Sequence, residues 1–334
     1  MKPSRKIFNI VPLILLILNP LMSAFLSVSL LAADVDVVNA ASATQPVVAI
    51  HVSEYTQVLE TTDAVSPTPT GSGASGKEWW VTSWHYSVIV ESLKLAFESD
   101  GTPYKIVTDA DIAAGGLMDG TSPKYTIVFS LAAEAIDNTE VNPLRNYVDA
   151  GGFLLVGSSA FTRNIDGTTR GDFALADEMG LNMVNPSLQN WGMTSNFTHF
   201  TNQRIVSHIP VGTVAWNMLT NAEDIVWGTN GAQQQWQVNL NGAEEIASGD
   251  AGPLLATKGY GQGRFIYHAI LNPLIGAGGY DVGMYAYTIY RSAVEWAFEE
   301  ANLPLVKRSP WPFAYNAAFM ARHDYEDSLG LVGG

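Results

Sequence analysis

Short apolar runs alternate along the chain with segments whose apolar positions recur every three or four residues. Pro46-Val47-Val48-Ala49-Ile50-His51-Val52 is rich in β-branched residues and reads as a buried strand. The Ser-, Thr-, Gly- and Pro-rich stretch from Thr61 to Lys77 reads as a loop. Tyr86, Val90, Leu93 and Phe97 then share one face of a helix that Asp100-Gly101 ends. Tyr104-Lys105-Ile106-Val107 and Tyr125-Thr126-Ile127-Val128-Phe129 are the next strands. Asn142-Pro143 opens a short helix with Leu144, Tyr147 and Val148 inward, closed by Ala150-Gly151-Gly152, and Phe153-Leu154-Leu155-Val156 is the fourth strand.

From Phe161 to Asp250 the pattern loosens into an irregular insert with short alternating stretches such as Gln235-Trp236-Gln237-Val238-Asn239-Leu240. Pro253-Leu254-Leu255-Ala256, the turn Gly259 to Arg264, and Phe265-Ile266-Tyr267-His268 together predict a hairpin at the sheet edge. A last helix runs from about Met284 to Ala301, with Tyr287, Tyr290, Val294 and Ala297 buried and Pro304 beyond its end. Continuously apolar strands alternating with helices predict an α/β fold whose mostly parallel sheet is covered on both faces.

The N-terminus changes the picture. Lys2, Arg5 and Lys6 precede an apolar run from Ile7 to Ala33, and small residues follow at Ala32-Ala33 and Ala41-Ser42-Ala43. Residues 1–43 therefore read as a signal peptide cleaved near 33 or 43, the alternative being an uncleaved membrane anchor. The expected location is secreted or cell envelope, with membrane contact only through an uncleaved leader. The 334 residues include no cysteine, which excludes disulfides, thiol nucleophiles and a cysteine-linked lipid anchor. The net charge is −15, and leader removal would take it to about −18 or about −16, depending on the cleavage point. Such a chain repels nucleic acid.

Two resemblances follow. Arg145-Asn146-Tyr147-Val148-Asp149-Ala150-Gly151-Gly152-Phe153-Leu154-Leu155-Val156-Gly157 is the first set of residues to carry one. Asp166-Gly167, Phe173 to Leu181, and Gly261-Gln262-Gly263-Arg264-Phe265-Ile266-Tyr267 complete it. Over about Val47 to Pro304 the chain resembles the class I glutamine-amidotransferase-like fold. That flavodoxin-like sheet is reused in many carbohydrate enzymes, including the trimerisation domain of some β-galactosidases. Near the C-terminus, Asn316-Ala317-Ala318-Phe319-Met320-Ala321-Arg322-His323-Asp324-Tyr325-Glu326 resembles the first strand of a polysaccharide deacetylase (NodB-type) barrel. By that resemblance Asp324 is the general base and Glu326, or else Asp327, a metal ligand in the full-length enzyme.

Each candidate site has a bland reading beside it. Two acids at i and i+2 face one side of a strand. The deacetylase centre also needs a divalent metal, zinc by preference, and the resemblance places its two histidines on an H-x-x-x-H segment. His51, His85, His199, His208, His268 and His323 are the histidines, and no two are four apart. The metal site is incomplete, no cofactor is expected for this chain, and Asp324 and Glu326 read here as an exposed acidic tail. Ser158 and Ser159 occupy the turn where amidotransferases carry a cysteine. A serine nucleophile there needs a base such as His199, His208 or His268, and the bland reading is a degenerate, inactive elbow. Trp79, Trp80 and Trp84 flank the polar loop, while Trp191, Trp216, Trp227 and Trp236 lie in the insert. Stacking on sugar rings is the functional reading and core filling the bland one.

The expectation is an α/β fold: a flavodoxin-like, mostly parallel sheet with helices on both faces, an irregular β-containing insert, and the first strand of a truncated (β/α) barrel. Residues 44–306 form an inactive amidotransferase-like domain and 307–334 a linker with the start of a deacetylase domain. The function expected is the N-terminal part of a secreted polysaccharide deacetylase-like protein, with a glycan as substrate, a homo-oligomer as a candidate assembly and no nucleic acid. A stand-alone glycan-binding or oligomerisation module, and a serine hydrolase at the Gly157-Ser158 turn, are the alternatives.

Overall fold

The structure is a computed structural model that describes residues 45–61, 86–187, 190–194, 196–199, 201–207, 211, 214–217, 233–270 and 280–308. The chain divides after Ala43, and all the described residues belong to the second unit. Asp324, Glu326, Trp79, Trp80 and Trp84 lie outside the described residues, as do the leader, the polar loop and the expected barrel strand.

Most of the parallel part of the sheet comes first in the chain. It comprises β1 (Gln45–Val52), β2 (Tyr104–Thr108), β5 (Tyr125–Leu131) and β6 (Phe153–Gly157). A small hairpin of β3 (Met118–Asp119) and β4 (Ser122–Pro123) precedes β5. Every residue of β5 and β6 is buried, as strands covered on both faces require. Side chains alternate between two cores: Ile127, Phe129, Leu131, Phe153 and Leu155 on one face, Val128, Leu154 and Val156 on the other. The helices divide accordingly. Helix α2 (Tyr86–Asp100) and α6 (Tyr280–Glu300) cover the first face, α3 (Asp109–Ala113) and α4 (Asn138–Asp149) the second. Helix α1 (Glu54–Thr61) follows β1, and the one-turn α5 (Ala176–Met179) joins the second face. Among the described residues no helix is long and apolar enough to cross a membrane.

Beyond β6 the sheet departs from expectation. Strand β15 (Gly263–His268) does not lie at an edge but pairs in parallel with β6, Phe265 opposite Leu154 and His268 opposite Gly157. Its other side pairs antiparallel with β14 (Gly252–Tyr260), followed by β13 (Glu244–Gly249), β9 (Asn196–His199) and β10 (Val214–Asn217). The order β10-β9-β13-β14-β15-β6-β5-β1-β2 makes a nine-stranded sheet, parallel in one half and antiparallel in the other. The presumed insert thus extends the main sheet. It also carries two small pairs, β7 (Leu181–Met183) with β12 (Val238–Leu240) and β8 (Trp191–Thr194) with β11 (Gln233–Trp236).

Helix α4 begins at Asn138, before the Asn142-Pro143 start expected from the preference of proline for a first helical turn. A capping box sets the true start: Asp137 accepts the Thr139 N–H at 2.8 Å, and Glu140 accepts the Asp137 N–H at 2.8 Å.

Candidate functional site

In a parallel α/β sheet the natural crevice lies outside the carboxyl ends of the strands, where the strand order reverses. Here the chain passes from β1 outward to β2 and then returns to β5 on the other side of β1. The mouth between β1 and β5 holds His51 at the end of β1, Ser130 on β5, Asp109 at the start of α3 and Glu140 in the first turn of α4. His51, Asp109 and Glu140 are 1 %, 1 % and 0 % exposed, so no sugar-sized ligand reaches them.

The hydrogen bonds are specific. His51 Nδ1 lies 2.8 Å from Ser130 Oγ, and Nε2 lies 2.8 Å from Asp109 Oδ1. The other Asp109 oxygen accepts the Tyr55 N–H at 2.9 Å and the Ser53 hydroxyl at 3.3 Å. The second oxygen of Glu140, Oε2, is buried without a hydrogen-bond partner. Burial above all, with the nearby Asp109 and Asp137 charges, pushes the Glu140 carboxyl up to about 8. In Asp109 and Glu140 one carboxyl oxygen is anchored from outside the cluster, as is one ring nitrogen of His51, and the remaining polar atoms converge.

A second polar group seals the neighbouring mouth between β5 and β6. Glu134 accepts the Ser159 hydroxyl at 2.5 Å and Arg163 Nε at 2.6 Å, with both charged side chains buried. Burial pushes the Glu134 carboxyl up, against the pull of Arg163 and Ser159. Ala132, Ser158 and Phe161 around it have φ of 51°, 55° and 67°, in the left-handed region that side chains resist. Ser158 does stand on a strained turn, but its Oγ has no partner, and Ser159 Oγ is spent on Glu134. Ser158 lines a small cavity with Ile89, Leu131 and Tyr290.

Of the candidate bases, the rings of His199 and His208 lie outside what the structure describes, and that of His268 sets Nδ1 2.9 Å from the Tyr290 hydroxyl, while Nε2 is unpartnered. Among the described residues neither serine hydroxyl hydrogen-bonds a histidine ring, which leaves the serine-hydrolase alternative without support. Trp236 is 2 % exposed and meets Trp191 edge to face with ring centroids 4.8 Å apart, so these two tryptophans pack against each other, while Trp227 and the side chain of Trp216 lie outside what the structure describes.

Burial alone lowers the His268 pKa to about 4. The folded ring stays neutral while the unfolded chain takes up a proton near pH 6.5. Stability is therefore complete above pH 6.5 and falls as the pH drops towards 4, by about 3 kcal/mol in total from this group. Urea titrations at pH 7 and pH 4.5 should show a smaller acid loss in His268→Gln than in the parent. Equal losses would remove the burial argument.

No family model matches the chain, and no curated protein matches it. Its fold is similar to that of the β-galactosidase from Rahnella sp. R3, at 14 % identity and a TM-score of 0.52, over 82 % of this chain and 34 % of that one. The β-galactosidase from Marinomonas ef1 follows at 13 % identity and a TM-score of 0.47, over 82 % and 31 %. A cytoplasmic protein of Salmonella typhimurium LT2 is similar at 10 % identity and a TM-score of 0.43, over 62 % and 86 %. The chain spans about a third of the length of these β-galactosidases. At these identities the likeness defines the class, an α/β protein with a largely parallel central sheet, and nothing finer.

The two resemblances drawn from sequence are thereby corrected: the neighbours are β-galactosidases and small cytoplasmic proteins, neither amidotransferases nor NodB-type deacetylases. They lend no weight to a stand-alone glycan-binding or oligomerisation module either. The misleading motif has a structural cause. A Cβ on Gly152 would stand 2.3 Å from the Tyr147 ring, one on Gly261 2.1 Å from Asp149 Oδ1, and one on Gly263 2.2 Å from the Val148 carbonyl oxygen. The Gly151-Gly152 and Gly261-Gln262-Gly263 signatures form one corner, where the β14–β15 turn packs on the end of α4, with Gln262 N–H donating to Asp149 O at 2.9 Å. They encode close backbone approach, not a family's chemistry.

Proposed function

We propose that this chain supplies the α/β part of a protein that acts on β-galactosides or related neutral glycans, with bond cleavage performed outside the described residues. The observation that carries this reading is the fold correspondence with the Rahnella enzyme, which spans most of this chain and a third of that one. Glycoside hydrolysis requires two carboxyl groups about 5–10 Å apart on either side of an open sugar site. Asp109 and Glu140 are packed too closely and too deeply for that, and Glu134 is committed to Arg163. On this reading the strands β2-β1-β5-β6-β15 form a flavodoxin-like order that serves as scaffold. The charge of −15 favours an uncharged glycan over a polyanionic one. The basic and apolar N-terminal segment fits work at the cell envelope or beyond it.

The test is release of galactose from nitrophenyl β-galactoside, lactose and a neutral β-galactan. The 334-residue chain alone is expected to be inert, and the polypeptide isolated from its native source active on at least one of the three. Inactivity of that polypeptide on all three, or hydrolysis by the 334-residue chain alone, would overturn the reading.

A further inference from the structure

We infer that His51, Asp109 and Glu140 form a structural site for a divalent cation of the zinc type. The inference is independent of the glycan reading and rests on geometry alone. One donor atom from each residue lies within 4.8 Å of the others, and the three come from the end of β1, the start of α3 and the first turn of α4. Two ligands each about 2.1 Å from a tetrahedral zinc are roughly 3.4 Å apart. The 2.8 Å between His51 Nε2 and Asp109 Oδ1 and the 4.8 Å limit bracket that spacing.

Each ligand is oriented from behind, as a metal centre requires. Ser130 Oγ engages His51 Nδ1, and Nε2 faces Asp109 Oδ1 at 2.8 Å, a contact that the ion would replace. The Tyr55 N–H and Ser53 hydroxyl hold Asp109 Oδ2 and leave Oδ1. The Asp137 N–H holds Glu140 Oε1 and leaves Oε2, the buried oxygen with no partner. Among the described residues no lysine or arginine pairs with Asp109 or Glu140, so two buried acids face each other with a single imidazole. A cation supplies the missing charge and a partner for the orphan oxygen. One imidazole with two carboxylates suits zinc or manganese better than magnesium, which retains its waters. Because all three residues are buried, the ion would enter as the chain folds and would clamp α3 and α4 to β1.

The test is refolding of the whole chain from urea after chelation, with zinc, manganese or magnesium chloride added separately. Metal content is then read by mass spectrometry and Tm by circular dichroism. About one zinc per chain should survive desalting, with Tm raised by roughly 4–5 °C at zinc near 100 times Kd. Glu140→Gln and His51→Gln should each lose the retained zinc and the Tm rise. No retained ion and no Tm shift with any of the three salts would overturn the inference. So would equal zinc retention by either variant, which would place the ion elsewhere. Neither outcome depends on sugar release, so this inference and the proposed function fail separately.

Discussion

Glu134→Ala is expected to lower the stability of the fold by about 3–5 kcal/mol, because it strands a guanidinium in the interior. Arg163 is 1 % exposed, and an arginine cannot relieve its burial by losing a proton. Its Nε lies 2.6 Å from Glu134, and Nη1 donates to the Gly167 carbonyl at 3.2 Å. The same pair ties two loops whose backbones already meet, Arg163 N–H donating to Glu134 O at 2.9 Å and Ile136 N–H to Arg163 O at 3.1 Å. Those loops contain Ala132, Ser158 and Phe161 in left-handed conformations, each costing on the order of 1 kcal/mol and held in place by such ties together with their own backbone hydrogen bonds. Glu134→Gln keeps the shape but not the charge and should fall between the parent and Glu134→Ala. Combining Glu134→Ala with Arg163→Met should recover much of the loss, since the unpaired charge is then gone. Urea denaturation at pH 7 measures all of these. A loss below about 1 kcal/mol in the single variant, or strict additivity in the double, would rule out the stranded charge.

The second large effect is expected at Phe129. It lies on β5 with no exposed surface, its ring edge-on to Phe97 at 5.2 Å and to Tyr290 at 5.6 Å between centroids. These two rings belong to α2 and α6, so Phe129 is where both covering helices meet the sheet. Truncation to alanine removes the transferred ring and leaves a void that two anchored helices cannot close, at about 3–5 kcal/mol. Phe129→Leu retains most of the volume and should cost under about 2 kcal/mol. Hydrogen exchange of α2 and α6 should accelerate in Phe129→Ala, and unchanged exchange there would argue against a shared anchor.

The parts of the fold legible in sequence are those whose burial is complete and local. Strands β1, β2, β5 and β6 and helices α2 and α6 follow from apolar runs and from a helical stripe. The position of β15 was illegible, because a hairpin sequence specifies its turn and says nothing of the neighbour beyond. The site was illegible for a related reason. His51, Asp109 and Glu140 sit on three separate elements, a strand and two helices, and the crossover around β1 joins them. Two signals were present all the same: a histidine inside a continuous apolar strand, and an Asp137-Asn138-Thr139-Glu140 box that fixes Glu140 on a helix start. The strongest motif, by contrast, was the one that misled, since its glycines answer to steric crowding at the α4 corner.

The place of β15 bears on how the molecule is assembled during synthesis. The antiparallel strands β9, β10, β13 and β14 leave the ribosome before β15, yet within the sheet they reach the parallel half only through it. Until residues 263–268 emerge, the fully apolar margin of β6 has no neighbour on that side, an open template for wrong pairing. A late strand in a central position makes sheet completion a slow, long-range event, in which a nascent chain depends on protection until residues 263–268 have been made.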